Sequence, residues 1–195
     1  AVIDEANTHL YVPDLGIDKV MIYRFNSETG KLESNKPSWC KISAGSGPRH
    51  FVFHPKGKFA YLINELNSTI TALNYDKKTG GLSEIETVYT LSDKLHGENT
   101  GSDLHVTVSG EYLYGSNRGH DSIVAYRINQ KTGKLDYLSH TPTRGKTPRG
   151  FAIDPTDGYL LVANMDTSII NVFAIEKRTG ELSFTGHTAQ VSMPA

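Results

Sequence analysis

The sequence has 195 residues, 37% hydrophobic and 21% charged, which supplies a packed core and argues against wholesale disorder. Twenty Lys and Arg stand against 21 Asp and Glu, a net charge of -1, so no nucleic-acid partner is expected, although a local basic pocket is compatible. The single cysteine, Cys40, excludes an internal disulfide framework and suits a reducing, cytoplasmic setting; no apolar run approaches the roughly 18 residues a membrane-spanning helix needs.

Residue 1 opens an ordinary segment without a basic or apolar leader and without an initiator Met, so the true start is expected upstream. From there the chain is a succession of short runs rich in Val, Ile, Tyr, Phe and Thr, punctuated by Gly, Pro, Asn and Asp, which predicts strands. The first unit carries Asn7-Thr-His-Leu-Tyr-Val12 and turns at Asn26-Ser-Glu-Thr-Gly30-Lys-Leu32. The second opens on Gly47-Pro-Arg-His-Phe51, runs through Gly57-Lys-Phe-Ala-Tyr-Leu62 and turns at Asp76-Lys-Lys-Thr-Gly80-Gly-Leu82. Its four strands are predicted near 50–54, 59–64, 69–75 and 82–89. The third has Gly101-Ser-Asp-Leu-His105, Gly110-Glu-Tyr-Leu-Tyr114 and Asn129-Gln-Lys-Thr-Gly133-Lys-Leu135. The fourth has Thr147-Pro-Arg-Gly-Phe151, Gly158-Tyr-Leu-Leu-Val162 and Glu176-Lys-Arg-Thr-Gly180-Glu-Leu182.

The turn glycines are separated by 50, 53 and 47 residues. A four-strand unit repeated at this period implies an all-β fold, a β-propeller of four-stranded antiparallel blades. One domain is expected over 1–195, with blades at about 1–44, 45–97, 98–143 and 144–195. A β-sandwich is disfavoured because it does not repeat such a unit. A WD40 array is disfavoured because no Trp-Asp pair exists, and a kelch array because Gly-Gly occurs once, at 80–81. The Thr-Gly turns suit hairpins whose glycine takes a positive φ. Strands such as Tyr61-Leu-Ile, apolar on both sides, are expected where a sheet is covered on both faces.

In a propeller the first strand of each blade lines the central channel, so equivalent positions converge on one axis. Arg49 and Arg149 match, His50 matches Gly150, and His105 falls in the same strand of its unit. After the second strand, Glu65 and Arg118 occupy equivalent places, with Asp14 and Met165 in the other units. These residues differ where the frame around them repeats, which marks them as candidates. Plain alternatives stand beside them: the arginines as structural pairs for neighbouring carboxylates, Glu65 as a turn cap or arginine partner. His54, before Pro55, suits a turn, and His9, His140 and His187 read as surface or strand-end residues. No histidine pair has zinc spacing, and neither a nucleophile elbow nor a glycine-rich phosphate loop is present.

Gly47-Pro-Arg-His-Phe-Val-Phe-His-Pro55, Tyr61-Leu-Ile-Asn-Glu-Leu-Asn-Ser68, Asp103-Leu-His105, Asn117-Arg-Gly-His-Asp-Ser122 and Thr147-Pro-Arg-Gly-Phe151 together closely resemble the propeller lactonase family. That family includes 6-phosphogluconolactonases and carboxymuconate-lactonising enzymes. The resemblance implies a seven-bladed ring of about 350 residues, of which this chain would be the C-terminal four blades. The missing blades, or another chain, would then close the ring. It places the family's functional arginines on Arg49 and Arg118 and its glutamate on Glu65, and it puts a further family histidine just upstream of Ala1.

The expected activity is hydrolysis of a sugar-phosphate lactone, with 6-phosphogluconolactone giving 6-phosphogluconate. In that scheme Glu65 deprotonates water, Arg49 or Arg118 holds the anionic group, and the missing histidine or His105 protonates the leaving oxygen. Arg149, His50 and His120 are expected to bind substrate. No metal and no cofactor is required, and the partner is a small sugar phosphate or carboxylate, with neither nucleic acid nor membrane involved. A cycloisomerase acting on a carboxylated muconate, or a non-catalytic interaction module, are the alternatives.

Overall fold

The computed structural model describes residues 1–91 and 98–195. β-branched and aromatic runs form strands here, and the turn residues between them fix hairpins, so every sheet is built from consecutive strands. The first contains β1 (Val2–Ile3), β2 (His9–Asp14), β3 (Lys19–Phe25) and β4 (Leu32–Lys41). The second contains β5 (Pro48–Phe53), β6 (Phe59–Asn64), β7 (Thr69–Asp76) and β8 (Gly81–Tyr89). The third contains β9 (Thr100–Val106), β10 (Tyr112–Arg118), β11 (Ser122–Ile128) and β12 (Leu135–Pro142). The fourth contains β13 (Pro148–Ile153), β14 (Tyr159–Asn164), β15 (Ile169–Ile175) and β16 (Leu182–Gln190). All pairings are antiparallel. Strand β9 packs beside β5 on one side and β13 on the other, so the first strands lie next to each other as in the blades of a propeller. The expected boundary between the second and third units, at 97, lies outside the described residues.

The cores lie between blades. Tyr11, Val20 and Ile22 of the first sheet meet Phe51, Ala60 and Leu62 of the second. From the other face of β6, Tyr61 and Ile63 meet Leu104, Leu113 and Val124 of the third. Tyr114 and Ile123 of the third then meet Phe151, Leu160 and Phe173 of the fourth. This is why β6 is apolar at successive positions and buried throughout: each face has its own neighbouring blade. Cys40 belongs to the first of these cores, and burial pushes its thiol up to about 11.

The Thr-Gly turns behave as expected. Gly30, Gly80, Gly133 and Gly180 all take positive φ, between 70° and 78°. They also tie blades together. Tyr11 donates its hydroxyl to the carbonyl of Gly80 (2.8 Å), Tyr61 to that of Gly133 (3.1 Å) and Tyr114 to that of Gly180 (2.9 Å). Each second-strand tyrosine therefore grips the hairpin of the following blade. In β14 the equivalent residue is Leu161, because Leu161 precedes Asn164 as Tyr61 precedes Asn64 in the same register.

That register corrects one alignment. Asp14 pairs with Lys19 as Asn64 pairs with Thr69 and Asn117 with Ser122. Asp14 is thus the counterpart of Asn64, and Leu15 rather than Asp14 matches Glu65. The histidines agree with expectation only in part. His9 does begin a strand, but it is buried, with Nδ1 3.1 Å from Asp4 Oδ2. His140 is half-buried and faces the Thr90 carbonyl, while His187 is exposed. His54 accepts the Lys56 N–H at Nδ1 and places Nε2 2.9 Å from the Gly110 carbonyl, so it shapes its turn and joins two blades.

Candidate active site

Three adjacent inner strands carry the same irregularity. In β5, Pro48 pairs with Asn64 and His50 with Ile63, so Arg49 is an extra residue. In β13, Pro148 pairs with Asn164 and Gly150 with Ala163, so Arg149 is extra. In β9, Gly101 pairs with Asn117 and Leu104 with Gly115, leaving Ser102 and Asp103 opposite Ser116. Such a bulge re-aims side chains that regular alternation would send elsewhere. Arg49, Ser102 and Arg149 are equivalent by this count, and so are His50, Asp103 and Gly150. The bulge in β9 is held by the Ser116 hydroxyl, which accepts the Asp103 N–H at 2.9 Å.

Glu65 follows β6 and is held on both sides by backbone. Its N–H donates to the Gly47 carbonyl (2.7 Å), and its carbonyl accepts from the Gly101 N–H (3.1 Å). Gly47 allows this approach: its φ is +66°, and a Cβ there would meet Leu66 Cγ at 2.5 Å. Glu65 Oε2 lies 2.8 Å from Arg49 Nε, and Oε1 lies 2.9 Å from Arg118 Nη2. Arg49 Nη1 also donates to the Ser102 carbonyl and to its hydroxyl (2.9 Å), which in turn donates to the Arg149 carbonyl at 2.7 Å. Burial, and then the neighbouring Arg118 charge, lowers the Arg49 pKa from its usual value, and Glu65 opposes the shift. Arg118 Nε is buried without a hydrogen-bond partner among the described residues.

Asp103 is the second organising centre. Oδ1 accepts from the Leu104 N–H (2.9 Å) and lies 2.8 Å from His50 Nδ1. Oδ2 accepts from the Phe151 N–H (3.0 Å) and lies 3.1 Å from His105 Nε2. Burial acts to raise the Asp103 pKa, but the hydrogen bonds from His105 and His50, with the Phe151 amide, hold it well below the usual carboxylate range.

A cavity of about 610 Å³ opens beside this group, lined by Arg49, His50, Asp103, Arg149, Gly150 and Ala195 among others. Gly150 stands where β5 has His50, and a Cβ there would meet the Ala195 backbone at 3.2 Å and Asp103 Oδ2 at 3.7 Å. Glu65, Arg118 and His105 do not line this cavity; they support the residues that do. His105 packs edge-on against Phe151, at 4.7 Å between ring centroids and 76°. His120 is drawn to a different neighbourhood. Its Nδ1 is 2.7 Å from Ser122 Oγ and its ring lies 5.7 Å from that of His140. The structure thus gathers Arg49, Glu65, Arg118, Arg149, His50 and His105 around one mouth and sets His120 apart. Ser102 and Asp103 carry this arrangement, yet nothing in the sequence reading gave them a part. The equivalence of Asp103 with His50 emerges only from the strand pairing of β9 and β5.

Clefts of about 400 Å³ near His54, Tyr75 and Lys77 and of about 230 Å³ near Tyr112, Ile175 and Lys177 occupy equivalent places between blades, which marks them as features of the repeat. Among the described residues no group of three or more His, Cys, Asp or Glu side chains is arranged to hold a metal ion, and no helix is long and apolar enough to cross a membrane.

The family model described as lactonase, 7-bladed beta-propeller, matches residues 1–195. A 6-phosphogluconolactonase of Bacillus subtilis is 40% identical over 189 residues, which is 95% of this chain and 53% of the relative. A 6-phosphogluconolactonase of Formosa agariphila is 39% identical over 179 residues, 90% of this chain and 50% of the relative. The periplasmic gluconolactonase structure from Pseudomonas aeruginosa superposes with a TM-score of 0.93 at 30% identity, covering 100% of this chain and 54% of that one. The chain spans about half the length of the curated relatives it matches. With its four antiparallel blades and a match along all 195 residues, the chain belongs to the seven-bladed propeller lactonase family.

Proposed function

We propose that the protein carrying this chain hydrolyses 6-phosphogluconolactone to 6-phosphogluconate. The observation that carries the reading is the guanidinium group at the channel mouth. Among the described side chains, Arg49, Arg118 and Arg149 stand with the carboxylates of Glu65 and Asp103, three positive charges against two, in a protein whose net charge is -1. Such a site suits a small anion better than a polyanion. Arg149 is exposed at the cavity edge and unpaired in any ion pair among the described residues, so it is the guanidinium free to take the substrate phosphate. Arg49 is fixed by Glu65 and Ser102 and is placed to stabilise the carbonyl oxygen as negative charge develops on it. Both Glu65 oxygens accept from guanidinium groups. That makes Glu65 the orienting group for two arginines in this proposal, rather than the base the sequence suggested.

The remaining blades of a seven-bladed ring are part of the same proposal. Leu161, 38% exposed where its counterparts Tyr61 and Tyr114 are fully covered by the next blade, supports a further blade packing there. A cytoplasmic setting accords with the single buried thiol and a sugar-phosphate substrate, although the Pseudomonas gluconolactonase is by its name periplasmic.

The test is hydrolysis of 6-phosphogluconolactone by this chain and by the product of the complete reading frame that encodes it, each corrected for spontaneous opening of the lactone. Turnover is expected, with a clear preference over unphosphorylated gluconolactone. No acceleration by the reading-frame product would sink the proposal.

A further inference from the structure

The Asp103 carboxylate has no acceptor position left over. It takes two backbone N–H groups, from Leu104 and Phe151, and faces two imidazole nitrogens, His50 Nδ1 and His105 Nε2. An ionised carboxylate only accepts, so the nitrogen that faces it must carry the proton. In a neutral ring this fixes the tautomers: His50 is protonated on Nδ1 and His105 on Nε2. The other nitrogen of each ring then holds a free lone pair.

The two rings, 47% and 38% exposed in their side chains, differ in their relation to the cavity. His105 lies edge-on to Phe151 and does not line the cavity. His50 lines it, with 47% of its side chain exposed, while Asp103 behind it is 8% exposed. A buried carboxylate that locks the tautomer of a half-exposed imidazole is the arrangement of a general base. Glu65, by contrast, has each of its oxygens on a guanidinium.

We propose that Asp103 and His50 form a carboxylate–imidazole dyad, and that His50 Nε2 accepts the proton of the water that attacks the lactone carbonyl. The proposal rests on the lactonase reading above and supplies the base that reading lacks. The water oxygen bonds to the carbonyl carbon and its proton passes to His50 Nε2. The carbon–ring-oxygen bond then breaks, and the imidazolium returns that proton to the departing ring oxygen. The acid formed releases its own proton to solvent, so lactone and water give hydroxycarboxylate and one proton. Asp103 stays ionised throughout. His105 is a positioning residue, since it holds Asp103 and not the substrate. The charged and titratable groups around His50 are Arg49 on β5, Glu65 after β6, Asp103 and His105 on β9, Arg118 on β10 and Arg149 on β13, and Ala195 lines the same cavity.

The experiment compares the reading-frame product with its His50→Gln and Glu65→Gln variants on 6-phosphogluconolactone and on unphosphorylated gluconolactone across pH. Calorimetric binding of 6-phosphogluconate and thermal unfolding confirm that each variant is folded, and nitrogen NMR reports the His50 tautomer in the unsubstituted protein. His50→Gln is expected to lower kcat by about 10²- to 10⁴-fold on each lactone that is turned over. It should leave the 6-phosphogluconate Kd within about threefold. It should also remove the acid limb of the kcat/KM profile. Glu65→Gln should keep that limb. The NMR is expected to show the Nδ1-protonated tautomer. Retention of kcat or of the acid limb in His50→Gln, loss of the limb in Glu65→Gln instead, or an Nε2-protonated His50 would each overturn the dyad. If only the unphosphorylated lactone is turned over and His50→Gln abolishes this, the dyad stands and the substrate assignment falls. Absence of turnover on both lactones overturns both.

Discussion

Replacing Asp103 with Asn tests how much of the site's geometry hangs on one carboxylate. The amide keeps one acceptor atom and puts an NH₂ group where Asp103 accepted from the Phe151 N–H and His105, or from the Leu104 N–H and His50. Whichever way it turns, one buried backbone N–H is left facing a donor. An unsatisfied buried group costs about 1–3 kcal/mol, and loss of one partner from a buried charged network costs about 3–5 kcal/mol. We therefore expect destabilisation of about 3 kcal/mol, since one acceptor survives. For a chain of this size that corresponds to a fall in Tm of about 6–12 °C.

The pH dependence has a definite sign. The folded-state pKa of Asp103 is depressed, so its contribution is present above the unfolded value of about 3.9 and is lost as pH falls through the depressed folded value. The gap between the two proteins should persist down to about pH 4 and close only below it. Thermal unfolding by circular dichroism at pH 8, 6, 5 and 4 reads this directly. A Tm within about 2 °C of the unsubstituted protein at neutral pH, or a gap that closes between pH 8 and 5, would refute the assignment of Asp103 as an ionised, saturated acceptor.

Other expectations follow from the same geometry. Arg149→Gln should raise KM for the phosphorylated lactone about tenfold or more while leaving the unphosphorylated one within about twofold, measured by initial rates; equal effects on both would remove Arg149 from phosphate recognition. Glu65→Gln should raise KM and lower kcat together, because Arg49 and Arg118 both lose an anchor; a variant with unchanged kinetics would leave Glu65 a bystander. Tyr61→Phe removes the hydroxyl that serves the Gly133 carbonyl and should cost about 1 kcal/mol, or about 2–4 °C in Tm; an unchanged Tm would show that the carbonyl finds another donor.

The repeat was readable because its punctuation is chemical. A Thr-Gly turn needs a residue tolerant of positive φ, and a strand covered on both faces must be apolar at successive positions, so both leave marks in one dimension. Arg49 was visible through its match with Arg149, and Glu65 as a departure from that frame. The bulges left no such mark. An extra residue in an inner strand shows only in the pairing, and it is the pairing that makes Asp103 the counterpart of His50 and Leu15 the counterpart of Glu65. His120 misled for a related reason. It lies near Arg118 in the chain, yet the hairpin after β10 carries it to Ser122 and His140. Asp103 escaped notice because a buried carboxylate is recognised by its donors, and these come from β5, β9 and β13, some 50 residues apart in sequence.

The tyrosine hydroxyls that reach from one blade to the next hairpin give the array a direction. Within these four blades, the second and third each give one such bond and receive one, the first only gives and the fourth only receives. In a nearest-neighbour description of a repeat protein, a unit that both gives and receives is held by two such couplings. Amide exchange should be slow in β6, β7, β10 and β11, the middle strands of those two blades. The inner strands β5 and β9, which carry Arg49, His50 and Asp103, belong to those two doubly coupled blades. Arg49, His50 and Asp103 are therefore mounted on blades tied to both of their neighbours.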